Sequence, residues 1–232
     1  MELKAFTLAE VLITLGIVGV VAALTIPSLI QNHRKSIIET RLSKFYSTIN
    51  QAIALSEIDN GDKKNWEILK SYNSQGGIDP WITRGTISPE DWYNKYLAQY
   101  IKVIKTEQSG VGDKKYNLYF PDGSMVTFSG SSWIFYPEAK SYKETTDEDG
   151  IVRRSIDGSG KNNFTFFFFP TRTDRYHNKG IEPYGTNVSE EAELRNDPTV
   201  GCKKEVTTER AYCTELIRRN GWKIPKDYPF KF

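Results

Sequence analysis

An almost unbroken apolar run opens the chain. The stretch from Val11 to Ile30 carries no charged side chain, and the next ionisable groups are His33, Arg34 and Lys35. At about 1.5 Å of rise per residue, a helix of this length spans roughly 30 Å, which is the thickness of the hydrocarbon core of a bilayer. The pattern therefore predicts a segment that lies in a membrane or is buried in a helical assembly.

After Pro27 the apolar positions continue at steps of three and four residues, which is the period of one helical face. These positions are Ile38, Leu42, Phe45, Ile49 and Ile53. The pattern predicts one long helix from about Thr7 to Leu55, bent near Pro27 and followed by a turn at residues 60–62. Its second half is expected to pack on the rest of its own chain.

The remaining segments alternate between helix and strand signals. A serine cap and a proline at Ser88-Pro89 begin a predicted helix that runs to about Lys105. From Tyr116 the apolar period changes to two, which predicts strands. The predicted hairpin is Tyr116–Phe120 with Ser124–Phe128, and further strands are predicted at Trp133–Tyr136, Gly150–Ile156 and Phe164–Phe169, the last two as a pair. Short helices are predicted at Trp66–Ser71, Ser189–Arg195 and Thr207–Arg219, with loops over Lys140–Gly150 and residues 171–200.

Four consecutive phenylalanines, from Phe166 to Phe169, give one predicted strand an unusual apolar content. Such a strand must be covered on both faces, because an exposed window of this kind promotes aggregation. We expect the long helix on one face and a loop on the other.

Composition and length narrow the possible partners and the fold class. The formal net charge is +2 and 26% of residues are charged, which favours neither a nucleic acid nor an acidic substrate as a partner. With about fifty residues in the long helix, roughly 175 remain for a body, which is enough for one hydrophobic core. The sequence predicts an α+β protein in which a long N-terminal helix packs on an antiparallel β-sheet with additional short helices.

Glu10 is the acidic residue at the front of the apolar run. A carboxylate in hydrocarbon costs a few kcal/mol, so an intramembrane glutamate indicates a partner and a function. The alternative is a carboxylate near a helix N-terminus and the lipid headgroups, where the helix dipole favours it. The residue alone leaves both interpretations open.

The residues around Glu10 resemble the processing site of type IV pilins and type II secretion pseudopilins. In that family a short leader ends in Gly or Ala, Phe follows, and Glu is the fifth residue of the mature chain, ahead of a long apolar run. The matching residues here are Lys4-Ala5-Phe6-Thr7-Leu8-Ala9-Glu10. Pro27 lies where members often carry a helix-kinking proline, and Cys213–Ile217 with Asn220–Trp222 resembles the C-terminal stretch of large pseudopilins.

This resemblance implies a pilin-like fold and a division of the chain into three parts. These are a leader over residues 1–5, a long helix over 6–55 whose membrane or filament-core half is 6–30, and an extracytoplasmic domain over 56–232. A prepilin peptidase is expected to cut between Ala5 and Phe6, and the new amine of Phe6 is expected to be N-methylated. Glu10 is then expected to pair with the Phe6 amine of a neighbouring subunit.

The implied function is that of a minor structural subunit of a type IV pilus or a type II secretion-like filament. The implied partners are the prepilin peptidase, other pilin or pseudopilin subunits, an inner-membrane assembly platform and membrane lipid. No nucleic acid and no cofactor are expected. Two other classes stay open: a single-pass anchored exterior binding domain that does not polymerise, and a secreted enzyme released near Ala23.

Cys202 and Cys213 form a close pair near the C-terminus. Behind a membrane segment, such a pair indicates a disulfide that closes a small loop in an oxidising exterior, with two unpaired thiols as the alternative. The resemblance agrees with a C-terminal disulfide. A metal site is not expected here, because neither His33 nor His177 lies near the pair in sequence.

The charges that flank the apolar run argue against a body outside the cytoplasm. Arg34, Lys35 and Arg41 follow the run, and the positive-inside rule would place them, with the body, in the cytoplasm. The cysteine pair and the resemblance both favour a body outside the cytoplasm, and we take that orientation.

Chemical motifs are scarce. Asp157, Ser159 and Lys161 have the spacing of a calcium loop, but a lysine at a ligand position favours a plain turn. His177 is expected to be a solvated surface residue, and His33 to lie at an interface. No nucleotide-binding, serine-hydrolase or zinc-protease motif occurs, so we do not expect an enzyme.

Overall fold

The computed structural model describes residues 7–70, 85–109, 115–146, 148, 150, 152–172 and 174–232. Its helices are α1 (Leu8–Asn60), α2 (Pro89–Tyr96), α3 (Glu191–Asn196) and α4 (Tyr212–Arg219). Its strands are β1 (Lys105–Gln108), β2 (Tyr116–Tyr119), β3 (Met125–Ser129), β4 (Ser132–Tyr136), β5 (Glu144–Thr146), β6 (Val152–Arg154), β7 (Phe164–Phe168) and β8 (Ile181–Pro183). The expected leader over residues 1–5, and Phe6 after the predicted cleavage site, lie outside the described residues.

Helix α1 is continuous over 53 residues and passes through Pro27 without a break. It ends at Asn60, beyond the predicted Leu55. The side-chain amide of Asn60 donates to the hydroxyl of the buried Ser56 at 3.1 Å, which supports the added turn. Gly61, at φ 75°, then ends the helix in a conformation that other residues rarely adopt.

The second half of α1 packs on the sheet through the predicted apolar stripe. Ile38, Leu42, Phe45, Ile49 and Ile53 are all buried. The Phe45 ring stacks on Phe135 of β4 with centroids 4.2 Å apart, and it meets Phe166 of β7 edge-on at 5.2 Å. The predicted helix-on-sheet packing is therefore confirmed.

The main sheet has six strands in the order β1-β2-β3-β4-β7-β8, and every neighbouring pair is antiparallel. The predicted hairpin is present as β2 and β3, with Tyr116 opposite Phe128. The next predicted strand is present as β4. The body is thus α+β with an antiparallel sheet, as the sequence predicts.

Two strand assignments differ from the prediction. Strand β6, within the predicted strand Gly150–Ile156, pairs with β5 in a separate hairpin, whereas β7 lies between β4 and β8. The reason is the side chains: β5 and β6 carry mostly polar residues, β5 is exposed and β6 is only partly buried, so the pair adds little apolar burial to the main sheet. Strand β5 lies in the predicted loop Lys140–Gly150, and β8 lies in the predicted loop 171–200.

The predicted helices are shorter than their sequence patterns. Helix α2 ends at Tyr96, and Lys105 lies instead in strand β1, opposite Tyr119. The serine cap is as predicted, with the Asp91 N–H donating to the Ser88 hydroxyl at 3.1 Å. Helix α4 begins at Tyr212 rather than at Thr207.

The predicted helix Trp66–Ser71 is not present over its described part. A short 3-10 turn at Lys63–Asn65 takes its place, and Leu69 forms a parallel bridge with Ile87. Ser71 and the rest of the connection to residue 84 lie outside the described residues. Near the C-terminus, α3 matches the predicted helical piece at Ser189–Arg195.

The phenylalanine strand is covered on both faces, as predicted. Phe166 and Phe168 are buried in the core, where Phe168 meets Trp92 of α2 edge-on at 5.6 Å. Phe167 points to the other face and packs on Tyr184, in the turn after β8, with centroids 4.8 Å apart. Helices thus cover one face, and a loop covers the other.

Candidate membrane and assembly segment

The first half of α1 has no protein around it. From Thr7 to His33 every residue except Ala22 is exposed. The large apolar side chains in this half are Leu8, Val11, Leu12, Ile13, Leu15, Ile17, Val18, Val20, Val21, Leu24, Ile26, Leu29 and Ile30. An exposed apolar surface of this size marks an interaction site or a membrane segment.

Among the described residues, α1 is the helix whose length and composition suffice to cross a bilayer. It can therefore serve as a membrane anchor or as a signal segment. The burial profile divides it sharply, because the first buried side chain is Ile38. One half of the helix thus belongs to the body, and the other half is left for a different environment.

Glu10 is bound within its own helix terminus. Its Oε2 accepts hydrogen bonds from the Thr7 N–H and the Thr7 hydroxyl, both at 2.8 Å. The Glu10 N–H donates in return to the Thr7 hydroxyl at 3.3 Å, which completes a capping box. The sequence signal for this contact is threonine followed three residues later by glutamate, and our sequence interpretation did not use it. Within this chain, Glu10 therefore acts as a carboxylate at a helix N-terminus, which is the second of the two interpretations left open by the sequence.

Pro27 lies near the C-terminal end of the apolar half. Proline has no N–H, so the carbonyl of Ala23 loses its usual helical donor. Two hydroxyls nearby bond back to the helix: Thr25 donates to the Val21 carbonyl at 2.9 Å, and Ser28 donates to the Thr25 carbonyl at 2.9 Å. These bonds keep the polar side chains of the segment satisfied without water.

Two glycines in this half leave open space beside the helix. A Cβ atom built on Gly16 or Gly19 meets no atom within 4 Å. Small residues on a membrane helix allow another helix to approach its backbone closely. Ala5 and Phe6, the predicted cleavage residues, lie outside the described part of the chain.

The junction between the two halves of α1 is fixed by Arg34. Its guanidinium lies 3.2 Å from Glu138 and donates to the amide oxygen of Asn162 at 3.0 Å. His33, one residue earlier, is exposed. Four residues on, Ile38 enters the core. The body therefore begins within about one helical turn of Arg34.

The two cysteines form a disulfide, so the alternative of two free thiols is excluded. Cys213 lies on α4, and Cys202 lies in the segment before it. Gly160 packs against the bridge so closely that an added Cβ atom would lie 2.5 Å from the Cys213 sulfur. The bridge thus joins the C-terminal helix, its preceding loop and the turn before β7.

The possible calcium loop has another role. The Ser159 hydroxyl accepts a hydrogen bond from the Arg210 N–H at 2.9 Å, which ties this turn to the segment before α4. The Arg210 guanidinium also donates to the Ser159 carbonyl, at 3.4 Å. Over the described residues, no group of three or more His, Cys, Asp or Glu side chains is placed to hold a metal ion.

The expectation for His177 is wrong. His177 is 8% exposed, its Nδ1 lies 2.9 Å from an Asp174 oxygen, and its ring meets Phe169 edge-on at 5.3 Å. The ring is therefore a fixed part of the loop that covers β7. The signal available in the sequence was the aspartate three residues earlier, which is close enough to hold the ring.

Comparison with known proteins gives one family. A family model described as a family of unknown function, DUF6613, matches residues 28–232. No curated protein and no solved structure matches the chain. The match begins one residue after Pro27 and covers the second half of α1 and the whole body. Since it spans most of the sequence, the chain belongs to this family of unknown function, DUF6613.

Proposed function

We propose that this protein is a minor structural subunit of a type IV pilus or a type II secretion-like filament. In this proposal a prepilin peptidase cuts between Ala5 and Phe6, and the Phe6 amine is N-methylated. The observation that carries the proposal is the exposed apolar half of α1, which is continuous with the helix that holds the body. A subunit that passes from a bilayer into a filament needs such a half, because both environments bury it.

Burial of the apolar half stabilises the subunit both in the membrane and in the filament. Burying one large apolar side chain is worth about 1.5–3 kcal/mol, and thirteen of them are exposed between Leu8 and Ile30. Lipid or neighbouring helices can each supply this burial, whereas water cannot. Transfer from the inner membrane to the filament core, driven by an assembly platform, therefore has a modest net cost.

Glu10 supplies the register between subunits in this proposal. Its Oε2 is taken by Thr7, and within the described residues its Oε1 has no hydrogen-bond partner. The free oxygen is available to the Phe6 amine of a neighbouring subunit. An unpaired carboxylate inside a filament core costs more than a paired one, so correct stacking is favoured over misplaced stacking.

The body supports the same proposal through its layout. The second half of α1 packs on an antiparallel sheet, and a disulfide joins Cys202 to Cys213. Disulfides persist in oxidising compartments, which supports an inner-membrane anchor with the body outside the cytoplasm.

A second candidate is a single-pass anchored exterior domain that does not polymerise. Two observations favour it. The DUF6613 match begins at Ser28, after the segment that would drive assembly. In addition, the capping box gives Glu10 a partner within its own chain. Both candidates share the anchor and the exterior body, and they differ in the role of Glu10.

A pair of variants separates the two candidates. Glu10→Val removes the carboxylate, and the proposal predicts normal membrane insertion with loss of incorporation into filaments. Thr7→Val is the matched control, because it weakens the capping box but leaves the Glu10 carboxylate in place. Membrane fractionation measures insertion, and immunoblotting of sheared filaments measures incorporation.

The filament proposal predicts that only Glu10→Val loses incorporation. A normal filament yield from Glu10→Val would contradict the register role. Equal losses from the two variants would mean that the helix cap, and not a bond between subunits, explains the need for Glu10.

A further inference from the structure

A cavity of about 720 Å³ opens where α1 leaves its apolar half, between α1, α3 and the C-terminal tail. Its charged lining has five cationic and three acidic side chains. The cations are Lys35, Arg195, Arg219, Lys223 and Lys226, and the acids are Glu39, Glu191 and Asp227. The cavity therefore carries an excess of positive charge.

Each acid in the cavity already has a partner. Glu39 lies 3.0 Å from Lys223. Arg195 takes the other two acids, with Glu191 at 2.7 Å and Asp227 at 3.2 Å.

Three cations of the cavity remain, and only one of them is paired with an acid that the structure describes. Arg219 is bound to the buried Glu215 at 2.8 Å. Lys35 and Lys226 have no ion pair or hydrogen bond to any residue that the structure describes. Two uncompensated ammonium groups thus line one cavity, which makes it attractive to an anion.

The position of Lys35 along α1 identifies the kind of anion. Lys35 lies five residues beyond Ile30, the end of the apolar run, which corresponds to about 7.5 Å along a helix. The headgroup layer on each side of a bilayer is roughly 5–7 Å thick. When the apolar run spans the hydrocarbon core, the backbone of Lys35 lies at the outer edge of this layer, and its long side chain can reach back to the phosphate groups.

We propose that this cavity binds the phosphate headgroup of an anionic phospholipid through Lys35 and Lys226. The inference rests on the membrane anchor of the proposed function, and it holds whether or not the subunit enters a filament. The acyl chains then lie along the apolar half of α1, where Leu29 and Ile30 are exposed. Arg34 does not take part, because Glu138 and Asn162 already hold its guanidinium.

The test uses the full chain in detergent and native mass spectrometry. The protein is titrated with phosphatidylglycerol, which is anionic, and with phosphatidylcholine, which has a phosphate but no net charge. We expect retention of phosphatidylglycerol over phosphatidylcholine. Each lysine near an anionic lipid surface is worth about a fivefold change in binding. The variant K35Q/K226Q is therefore expected to lose most of the preference.

The matched control is K102Q/K179Q, which removes the same charge far from the cavity. Lys102 lines a cavity beside Thr48, and Lys179 precedes Gly180, which packs on Asn50. Both α1 positions lie at least about 27 Å beyond Ile30, well outside the headgroup layer. The control is expected to keep the lipid preference of the unaltered chain. Circular dichroism verifies that both variants fold.

Three results would overturn the inference. The first is no preference for phosphatidylglycerol in the unaltered chain, and the second is an unchanged preference in K35Q/K226Q. The third is displacement of the lipid by inorganic phosphate at the same concentration, which would indicate a site for a free ion. Failure of the filament proposal gives a different result, namely a chain that stays in membranes, keeps the lipid preference and never enters filaments.

Discussion

The backbone N–H of Ile224 donates a hydrogen bond to the Glu39 carboxylate at 2.9 Å, across 185 positions of sequence. The other oxygen of Glu39 accepts a bond from the Lys223 ammonium at 3.0 Å. Glu39 is 7% exposed and lies on α1 beside Ile38, where the helix enters the core. This contact holds the C-terminal tail on the long helix, next to the cavity that contains Lys35.

Glu39→Ala is expected to destabilise the body by about 1–3 kcal/mol, because it leaves the buried Ile224 N–H without an acceptor. Glu39→Gln keeps an oxygen for that N–H and is expected to cost less. The Lys223 ammonium is largely exposed, so its ion pair is worth less than about 1 kcal/mol. Denaturant unfolding of the detergent-solubilised chain, followed by tryptophan fluorescence, measures the difference. Equal losses for the two variants would assign the stability to the ion pair instead.

Glu182 makes the stability of the body depend on pH, and the direction of this dependence follows from its pKa. Burial raises the pKa of Glu182 above its ordinary value, although the Tyr46 hydroxyl donates to both of its oxygens at 3.1 Å. The folded state therefore holds the proton to a higher pH than the unfolded state. Glu182 thus lowers the free energy of unfolding as the pH rises from its ordinary pKa of 4.5 through the raised pKa.

Glu182→Gln removes this titration and keeps an oxygen for the Tyr46 hydroxyl. We expect its stability relative to the unaltered chain to increase between pH 4 and pH 7. Urea unfolding at several pH values measures this difference. A difference that is constant or falls with rising pH would contradict the assignment.

The disulfide between Cys202 and Cys213 is expected to be a main source of stability for the C-terminal region. Its sequence separation is 11, and bridges over loops of about this size stabilise by roughly 3 kcal/mol. The double variant C202S/C213S is expected to lose about 2–4 kcal/mol in the free energy of unfolding. Treating the unaltered chain with a reductant serves as the control and should give a similar loss. No loss in either case would show that the packing around α4 is sufficient.

A side chain at Gly160 is expected to destabilise the C-terminal region. The φ of Gly160 is 76°, and an added Cβ atom would lie 2.5 Å from the Cys213 sulfur. Gly221 is the matched control, because its φ is 65° but nothing lies within 4 Å of its added Cβ atom. Gly160→Ala should exceed Gly221→Ala in cost by about 1–3 kcal/mol, which is typical of overpacking. Thermal unfolding compares the two, and equal shifts would show that the contact relaxes freely.

The sequence predicts the parts of the fold whose signal is local and apolar. The stripe from Ile38 to Ile53 places α1 on the sheet, and the period of two from Tyr116 to Phe128 gives the first hairpin. The phenylalanine run predicts a doubly covered strand, and Phe166 and Phe167 do point to opposite faces. In each case, burial of the side chains decides the structure of the segment.

The sequence misses elements that depend on distant partners. Strand β1, Lys105–Gln108, is polar and lies at the edge of the sheet, so its strand character comes from pairing with β2 and not from its own pattern. Strand β8 has three residues and ends in Pro183, which suits an edge and gives a weak signal. The Thr7 cap on Glu10 had a recognisable motif. By contrast, the bond from Ile224 to Glu39 had none, since it joins residues far apart in sequence.

The mature N-terminus distinguishes a processed filament subunit from a plain membrane anchor and from a released protein. The measurement is intact mass together with N-terminal sequencing of the protein taken from native membranes. A processed filament subunit would begin at Phe6 and carry one added methyl group. A chain that still begins at Met1 would contradict this processing and favour a plain membrane anchor. A chain that begins near Leu24 would contradict it in favour of a released protein.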